Sequence, residues 1–232
     1  MKTFTQLADR LSPELMELAE RLKHGDLPDG EIIKRGRNTL VRLDVGGTPV
    51  VIKSFDHFSA LNRWVYTRLR KSKAWRSYAN AVRLVNLGIG SPTPLMSIDV
   101  RRRGVLRYSY YVSEMWNVEP LKLRIEREYD GQVTDEVAGR LAAFTLELHE
   151  KGVFHHDYNS DNVLVDDQWH FSLVDLNRIR FGRATERERM LGIVRLCDTH
   201  EATLLVARAY ARLRNHPDPD AYARYVASHP RD

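Results

Sequence analysis

The chain has 232 residues, 43% hydrophobic and 29% charged, enough apolar side chain for a core that needs no covalent staples. Its one cysteine, Cys197, excludes a disulfide scaffold and a cysteine-rich zinc site. No run approaches the roughly 18 apolar residues of a membrane span. The opening stretch carries Asp9, Glu14, Glu17 and Glu20 where a signal peptide would be apolar, so a soluble intracellular protein is expected.

The net charge of +5 is unevenly spread. Residues 1–115 hold 20 Lys/Arg against 11 Asp/Glu, whereas residues 116–232 hold 16 against 20. Between residues 57 and 98 there is no acid at all, against Arg63, Arg68, Arg70, Lys71, Lys73, Arg76 and Arg83. A basic half favours an anionic partner such as a phosphorylated ligand or an acidic membrane surface, although a solvated helix face would carry the same charges. Nucleic acid is not expected, because the basic stretch lacks interleaved aromatics and a known motif.

In chain order, Phe4, Leu7, Leu11, Leu15, Leu18 and Leu22 recur at steps of three and four, which predicts an amphipathic helix ending near Gly25. Three strands follow, EIIKRGR, LVRLDV and PVVIKSF, the last two joined by a Gly46-Gly47 turn. Residues 60–87 read as two helices interrupted near Lys71-Ser72-Lys73 and stopped by LGIGSPTP. PLMSIDV and VLRYSYYVSE complete five strands, and the shift in charge near residue 115 marks a lobe boundary. Thr134 is placed to cap a helix running to Lys151, with Val137, Leu141, Phe144 and Leu148 on one face and Gly152 as its stop. HHDYNSDN is a polar loop, and VLV and HFSLVDL are short strands around an Asp166-Asp167 turn. Thr185 and Glu188 form a capping box that opens helical sequence to about Arg214.

Three pieces carry chemistry. Lys53 lies among β-branched residues in VVIKSF, which would hold its ammonium in a cleft; an edge-strand lysine gives the same pattern. Asp157 and Asn162 stand five apart in a loop followed at once by the strand VLV. Phosphoryl transfer needs a carboxylate facing the acceptor hydroxyl and an oxygen ligand for a metal on the nucleotide phosphates, and this loop supplies both. Asp175 follows Asn162 by 13 residues, a hairpin's length, so the two can share magnesium.

Lys in V-x-I-K, then H-x-D-x-x-x-x-N, then D-L-N in place of D-F-G, in that order, resembles the protein-kinase-like superfamily. SKAWRSYANAVRLVNLGIGSPTP, SYYVSE, HHDYNSDNVLV and DLNRIRFG make the likeness closer: over roughly residues 30–200 the chain resembles the bacterial lipopolysaccharide kinase (Kdo/WaaP) family. The resemblance implies one α+β domain over residues 1–232 with a protein-kinase-like, two-lobed fold. Its N-lobe, 1–115, would be a five-stranded antiparallel sheet with a helix. Its C-lobe, 116–232, would be mainly helical and hold the catalytic loop. The implied activity is ATP- and Mg²⁺-dependent phosphorylation of a sugar hydroxyl of the lipopolysaccharide inner core, Kdo or heptose, or of a similar glycolipid. The implied place is the cytoplasm, peripheral to the inner face of the cytoplasmic membrane.

Carried over by position, Asp157 is the catalytic carboxylate, Lys53 meets the α- and β-phosphates of ATP, and Asn162 and Asp175 hold magnesium. Glu114, Met115 and Trp116 form the hinge beside adenine, and Gly36 lies in a phosphate-covering loop over Lys34–Thr39. His156 and Asn159 depart from the protein-kinase pattern. No acidic residue lies between Asp56 and Asp99, so the helix that usually pairs a glutamate with the strand lysine has none. A nucleotide-binding pseudokinase at the membrane, or another small-molecule or Ser/Thr-type kinase, are the alternatives.

Overall fold

A computed structural model describes residues 2–55 and 71–230. The chain divides into two compact units, Met1–Trp116 and Asn117–Asp232.

In the first unit, β1 (Lys2–Leu7), β2 (Glu31–Arg35), β3 (Thr39–Val45), β4 (Thr48–Ser54), β5 (Pro94–Arg102) and β6 (Val105–Glu114) form one antiparallel sheet in the order β1-β5-β6-β4-β3-β2. The sheet has six strands, not the five expected, because the N-terminal segment adds one. Lys2–Leu7 pairs along β5 from Lys2↔Arg101 to Leu7↔Met96 instead of opening the helix expected from Phe4. The run KTFTQL contains two threonines, which suit a pleated edge. Phe4 is 44% exposed and lies under the Arg101 guanidinium at 4.7 Å, so it never belonged to the leucine stripe.

The helix itself, α1 (Pro13–Lys23), begins where Ser12 accepts from the Leu15 amide at 3.3 Å and Pro13 takes the first turn. Its buried Leu15, Leu18, Ala19 and Leu22 pack on Val50, Ile52, Met96, Ile98 and Val112 of the sheet. Alternation along β4 sends Val50, Ile52 and Ser54 inward and leaves Lys53 on the opposite face. Gly46 and Gly47 close β3 to β4 with φ of +60° and +82°, the left-handed pair that a two-residue hairpin needs. The second expected helix of the 60–87 stretch is α2 (Lys73–Asn86), capped by Ser72, whose Oγ accepts from the Trp75 amide at 2.9 Å. The first, with Arg63, Arg68 and Arg70, lies outside the described residues.

In the second unit, β7 (Glu119–Pro120) leads into α3 (Leu121–Tyr129), an element that the sequence pattern did not signal. The long helix α4 (Asp135–Glu150) starts at Thr134 and buries Val137, Leu141, Phe144 and Leu148 as expected. It stops at Gly152, whose φ is +69° and where a Cβ would meet the Gly182 carbonyl oxygen at 2.6 Å. Next come β8 (Val153–His155), the polar loop, and the hairpin of β9 (Val163–Val165) and β10 (Phe171–Leu173), with β7 as third strand. A 3₁₀ turn, Leu176–Arg178, runs into β11 (Ile179–Phe181), which pairs back on β8. The helices α5 (Glu186–Leu196), α6 (His200–Leu213) and α7 (Pro219–Ala227) close the unit, and the Thr185–Glu188 capping box is fully formed. Among the described residues no helix is long and apolar enough to cross a membrane.

Candidate active site

The second unit stitches the polar loop to the strand pair behind it through a short set of hydrogen bonds. The Asn162 side-chain amide donates to the Asp157 carbonyl oxygen at 2.8 Å, which fixes the two ends of the loop against each other. Asn159 closes the turn between them, its Oδ1 accepting from the Asp161 and Asn162 amides at 3.2 and 3.1 Å.

The Val174 amide donates to the Asn162 carbonyl oxygen at 3.0 Å, so Asp175 emerges beside Asn162. Asp175 has φ +55° and ψ +47°, a left-handed backbone that costs a non-glycine residue roughly 1–2 kcal/mol and turns its side chain out of the strand direction. Asn177, buried, donates to Asp175 Oδ1 at 2.6 Å. The sequence pattern singled out Asp175 but not the amide that orients it, because a bond two residues on is set by the 3₁₀ turn.

His155 ties these parts together. The Asp157 amide donates to its Nδ1 at 3.1 Å, and its Nε2 lies 2.8 Å from the Val174 carbonyl oxygen. A bare Nδ1 is required to accept an N–H, so the imidazole is neutral with its proton on Nε2. Burial pushes its pKa down from the ordinary histidine value, partly opposed by the Val174 carbonyl. Below the loop, Tyr158 is buried with its hydroxyl 3.1 Å from Thr145 Oγ1, and Ser160 donates to Asp198 Oδ2 at 2.7 Å. The loop is therefore held at Asp157, Tyr158, Asn159, Ser160 and Asn162, while the Asp157 carboxyl itself stays 42% exposed.

Arg178 stands beside it, its Nη1 3.8 Å from Asp157 Oδ2, whereas Arg180 is paired with Glu188 and lies over the Phe154 ring at 4.6 Å.

In the first unit, Lys53 sits half-buried on β4, an interior strand flanked by β3 and β6 rather than a sheet edge. It pairs across to Leu40 and Tyr111, and its ammonium lies 5.5 Å from the Phe55 ring centroid. At the end of β6 the Glu114 amide donates to the Thr93 carbonyl and the Met115 amide to the Pro49 carbonyl, at 2.9 and 2.8 Å. Those two N–H groups are spent within the sheet. Gly36 lies exposed in the β2–β3 connection with nothing near its position, and its φ is not positive, so no close approach or special backbone demands glycine there. The expected helix glutamate is absent from α2, which carries no acidic residue.

The description of the lipopolysaccharide kinase (Kdo/WaaP) family matches residues 54–215, well over half of the chain and all of the polar loop, hairpin and turn described above. The chain belongs to this family. It is a phosphotransferase, a kinase of lipopolysaccharide biosynthesis. Among solved structures, "WaaP in complex with acyl carrier protein" aligns with a TM-score of 0.58 and 18% identity, over 97% of this chain and 98% of that one. WbdD, known from a crystal structure, aligns with a TM-score of 0.51 and 14% identity over 88% of this chain, which spans 47% of WbdD. At these identities the likeness is one of fold: a mixed α/β chain with an antiparallel sheet and helices, similar to the WaaP structure. A search of curated proteins returns no match.

Proposed function

We propose that this lipopolysaccharide kinase transfers the γ-phosphoryl group of ATP to a hydroxyl of an anionic inner-core sugar, Kdo or heptose, or of a similar glycolipid, at the inner face of the cytoplasmic membrane. The two units would be the two lobes of one kinase domain. The observation that carries the reading is the Asp157–Asn162–Asp175 set, held by the amide bond from Asn162 to Asp157 and by the backbone bond that delivers Asp175 beside Asn162.

In this reading the acceptor hydroxyl oxygen forms a bond to the γ-phosphorus while the bond from that phosphorus to the β–γ bridging oxygen breaks. ADP departs with the electron pair, and Asp157 takes the hydroxyl proton. The Asp157 carboxylate, partly exposed and carried on a hydrogen-bonded loop, suits that role. The Asn162 amide is fixed by its Nδ2, which leaves Oδ1 as a hard oxygen donor; Asp175, oriented by Asn177, offers a second. Among the described residues no cluster of three or more His, Cys, Asp or Glu side chains could hold a metal alone. A two-oxygen site fits magnesium, which takes few protein ligands and completes its shell with phosphates and water. Bound there, the ion would neutralise charge on the β- and γ-phosphates. Lys53 is assigned to the α- and β-phosphates, and Trp116 with its neighbours to the adenine edge.

The lack of an acid on α2 favours a second reading, a pseudokinase that binds nucleotide without turnover. One experiment separates them. Asp157→Asn should keep its fold and its Mg-ATP binding yet lose phosphate transfer by at least a hundredfold, the scale of general-base loss. A wild-type chain that binds Mg-ATP but transfers phosphate to no sugar or glycolipid would decide for the pseudokinase.

A further inference from the structure

The arginines after Asp175 are not equivalent. Arg180 is committed to Glu188 and to the Phe154 face, and its Nη2 also donates to the Arg183 carbonyl oxygen at 3.3 Å. Arg183 is exposed and lies beyond the end of β11. Arg178 closes the 3₁₀ turn, and pairing of β11 with β8 places it alongside the polar loop: Ile179 faces His155, and the His156 amide donates to the Arg178 carbonyl oxygen at 3.4 Å. Its backbone is thus fixed beside the aspartate.

Its guanidinium is not. The side chain is 58% exposed, and its one ion pair among the described residues, to Asp157 Oδ2, spans 3.8 Å, too far for a hydrogen bond. Among the described residues neither the Asp157 carboxylate nor the Arg178 guanidinium takes part in a side-chain hydrogen bond. Exposed pairs of this kind are weak and exchange readily for better partners. A planar fork of five donors, anchored next to the carboxylate that faces the acceptor hydroxyl, matches an oxyanion through two parallel hydrogen bonds.

We infer that Arg178 binds an anionic group, a carboxylate or phosphate, carried by the acceptor sugar close to the hydroxyl that is phosphorylated. This rests on the kinase reading of Asp157 and names the acceptor class that the site selects. Arg178 sits beside Oδ2 of the partly exposed Asp157 carboxylate, which in the kinase reading meets the acceptor, whereas the phosphates are assigned to Asn162 and Asp175. A neutral sugar would leave the guanidinium facing the aspartate and gain nothing from it.

The test is equilibrium binding, which needs no turnover and so stands apart from the kinase reading. Calorimetry would compare a Kdo-containing core oligosaccharide, the same oligosaccharide after carboxyl reduction, and a dephosphorylated preparation, on the full chain. Wild type should bind the intact oligosaccharide more tightly than at least one neutralised form. Arg178→Gln should weaken the intact oligosaccharide roughly tenfold to a hundredfold, as loss of a charge-assisted pair implies, and erase the preference. Arg178→Lys should recover part of it, and Arg183→Gln should match wild type. Which treatment abolishes the preference tells carboxylate from phosphate. In transfer assays on an active chain the loss should lie in KM for the sugar, with kcat and KM for ATP within about twofold of wild type, as expected for uniform binding. Equal affinities in wild type and Arg178→Gln would overturn the inference. So would a kcat loss at unchanged sugar KM, which would assign Arg178 to the transferring phosphoryl group. Failure of the kinase reading would look different, as absent transfer in the wild type whatever Arg178 does to binding.

Discussion

His149 shows how a single residue couples this unit's core to pH. Its Nδ1 lies 2.9 Å from the Tyr210 hydroxyl, which itself accepts from Arg189 Nη1 at 3.0 Å, so the tyrosine proton is directed to a neutral imidazole. Burial, and then the Arg189 and Arg214 charges, push the His149 pKa down to about 3 from 6.5. The unfolded chain therefore binds one more proton than the folded one between those values. Stability from this residue is complete above pH 6.5 and is lost as pH falls from 6.5 towards 3. Between pH 7.5 and pH 5 the loss should be on the order of 2 kcal/mol, enlarged by His155, whose pKa moves in the same direction. Urea midpoints at the two pH values measure it, and His149→Gln should flatten the difference; an equal difference in both proteins would contradict the assignment. At this scale the spacing of Asp157, Asn162 and Asp175 was readable directly. The partners that aim them, His155, Asn159 and Asn177, were not, because their bonds depend on a turn and a strand pairing that no local pattern encodes. The charge run after Asp175 was readable as three arginines but not as one available and one engaged.

Elements follow the same rule. Helices α4 and α5 start where Thr134 and Thr185 predict, whereas α1 and α2 start at Ser12 and Ser72, caps that the sequence pattern did not single out. The missed helix α3 has Pro120 at its N-cap without a side-chain bond, and its inner face is held by a charge: buried Arg124 meets Glu119 and Glu128 at 2.6 Å and Asp167 at 2.9 Å. Beside that cluster only Leu121 and Ile125 are buried, one apolar step of four residues and too short a period to read. β8 and β11 are three residues each, below any periodic signal, yet they bring His155 and Arg178 to the loop. Gly152 guards that pairing. Gly152→Ala must force a Cβ against the Gly182 carbonyl as well as a left-handed backbone, whereas Gly131→Ala, φ +76° in open space, pays for the backbone alone. The second should cost about 1 kcal/mol and the first at least about 2 kcal/mol more. Thermal melts would rank the two. Equal melting temperatures would show that β8 and β11 do not need the close approach.

At the scale of the whole chain, the division near residue 116 separates a basic half from an acidic one, and family membership spans both. The sheet's sixth strand escaped the sequence because Phe4 and Leu7 stand three apart, in step with the leucines of the helix that follows, and only pairing along β5 makes the segment a strand. The acceptor class also belongs here. After Asp175 only Leu176–Ala184 precede the next helix, and the stretch lacks the A-P-E element with which protein kinases build a platform for an extended peptide. It is instead a 3₁₀ turn and a short strand folded back on β8. A small or membrane-borne sugar needs no such platform. The most direct measurement is transfer of labelled γ-phosphate from ATP, by the full chain, to purified lipopolysaccharide core and, in parallel, to an unstructured serine- and threonine-rich protein, each with and without a chelator of divalent cations. Label should enter the core sugar only, and chelation should abolish it. Label entering the protein efficiently, or persisting in the sugar without divalent metal, would contradict the account.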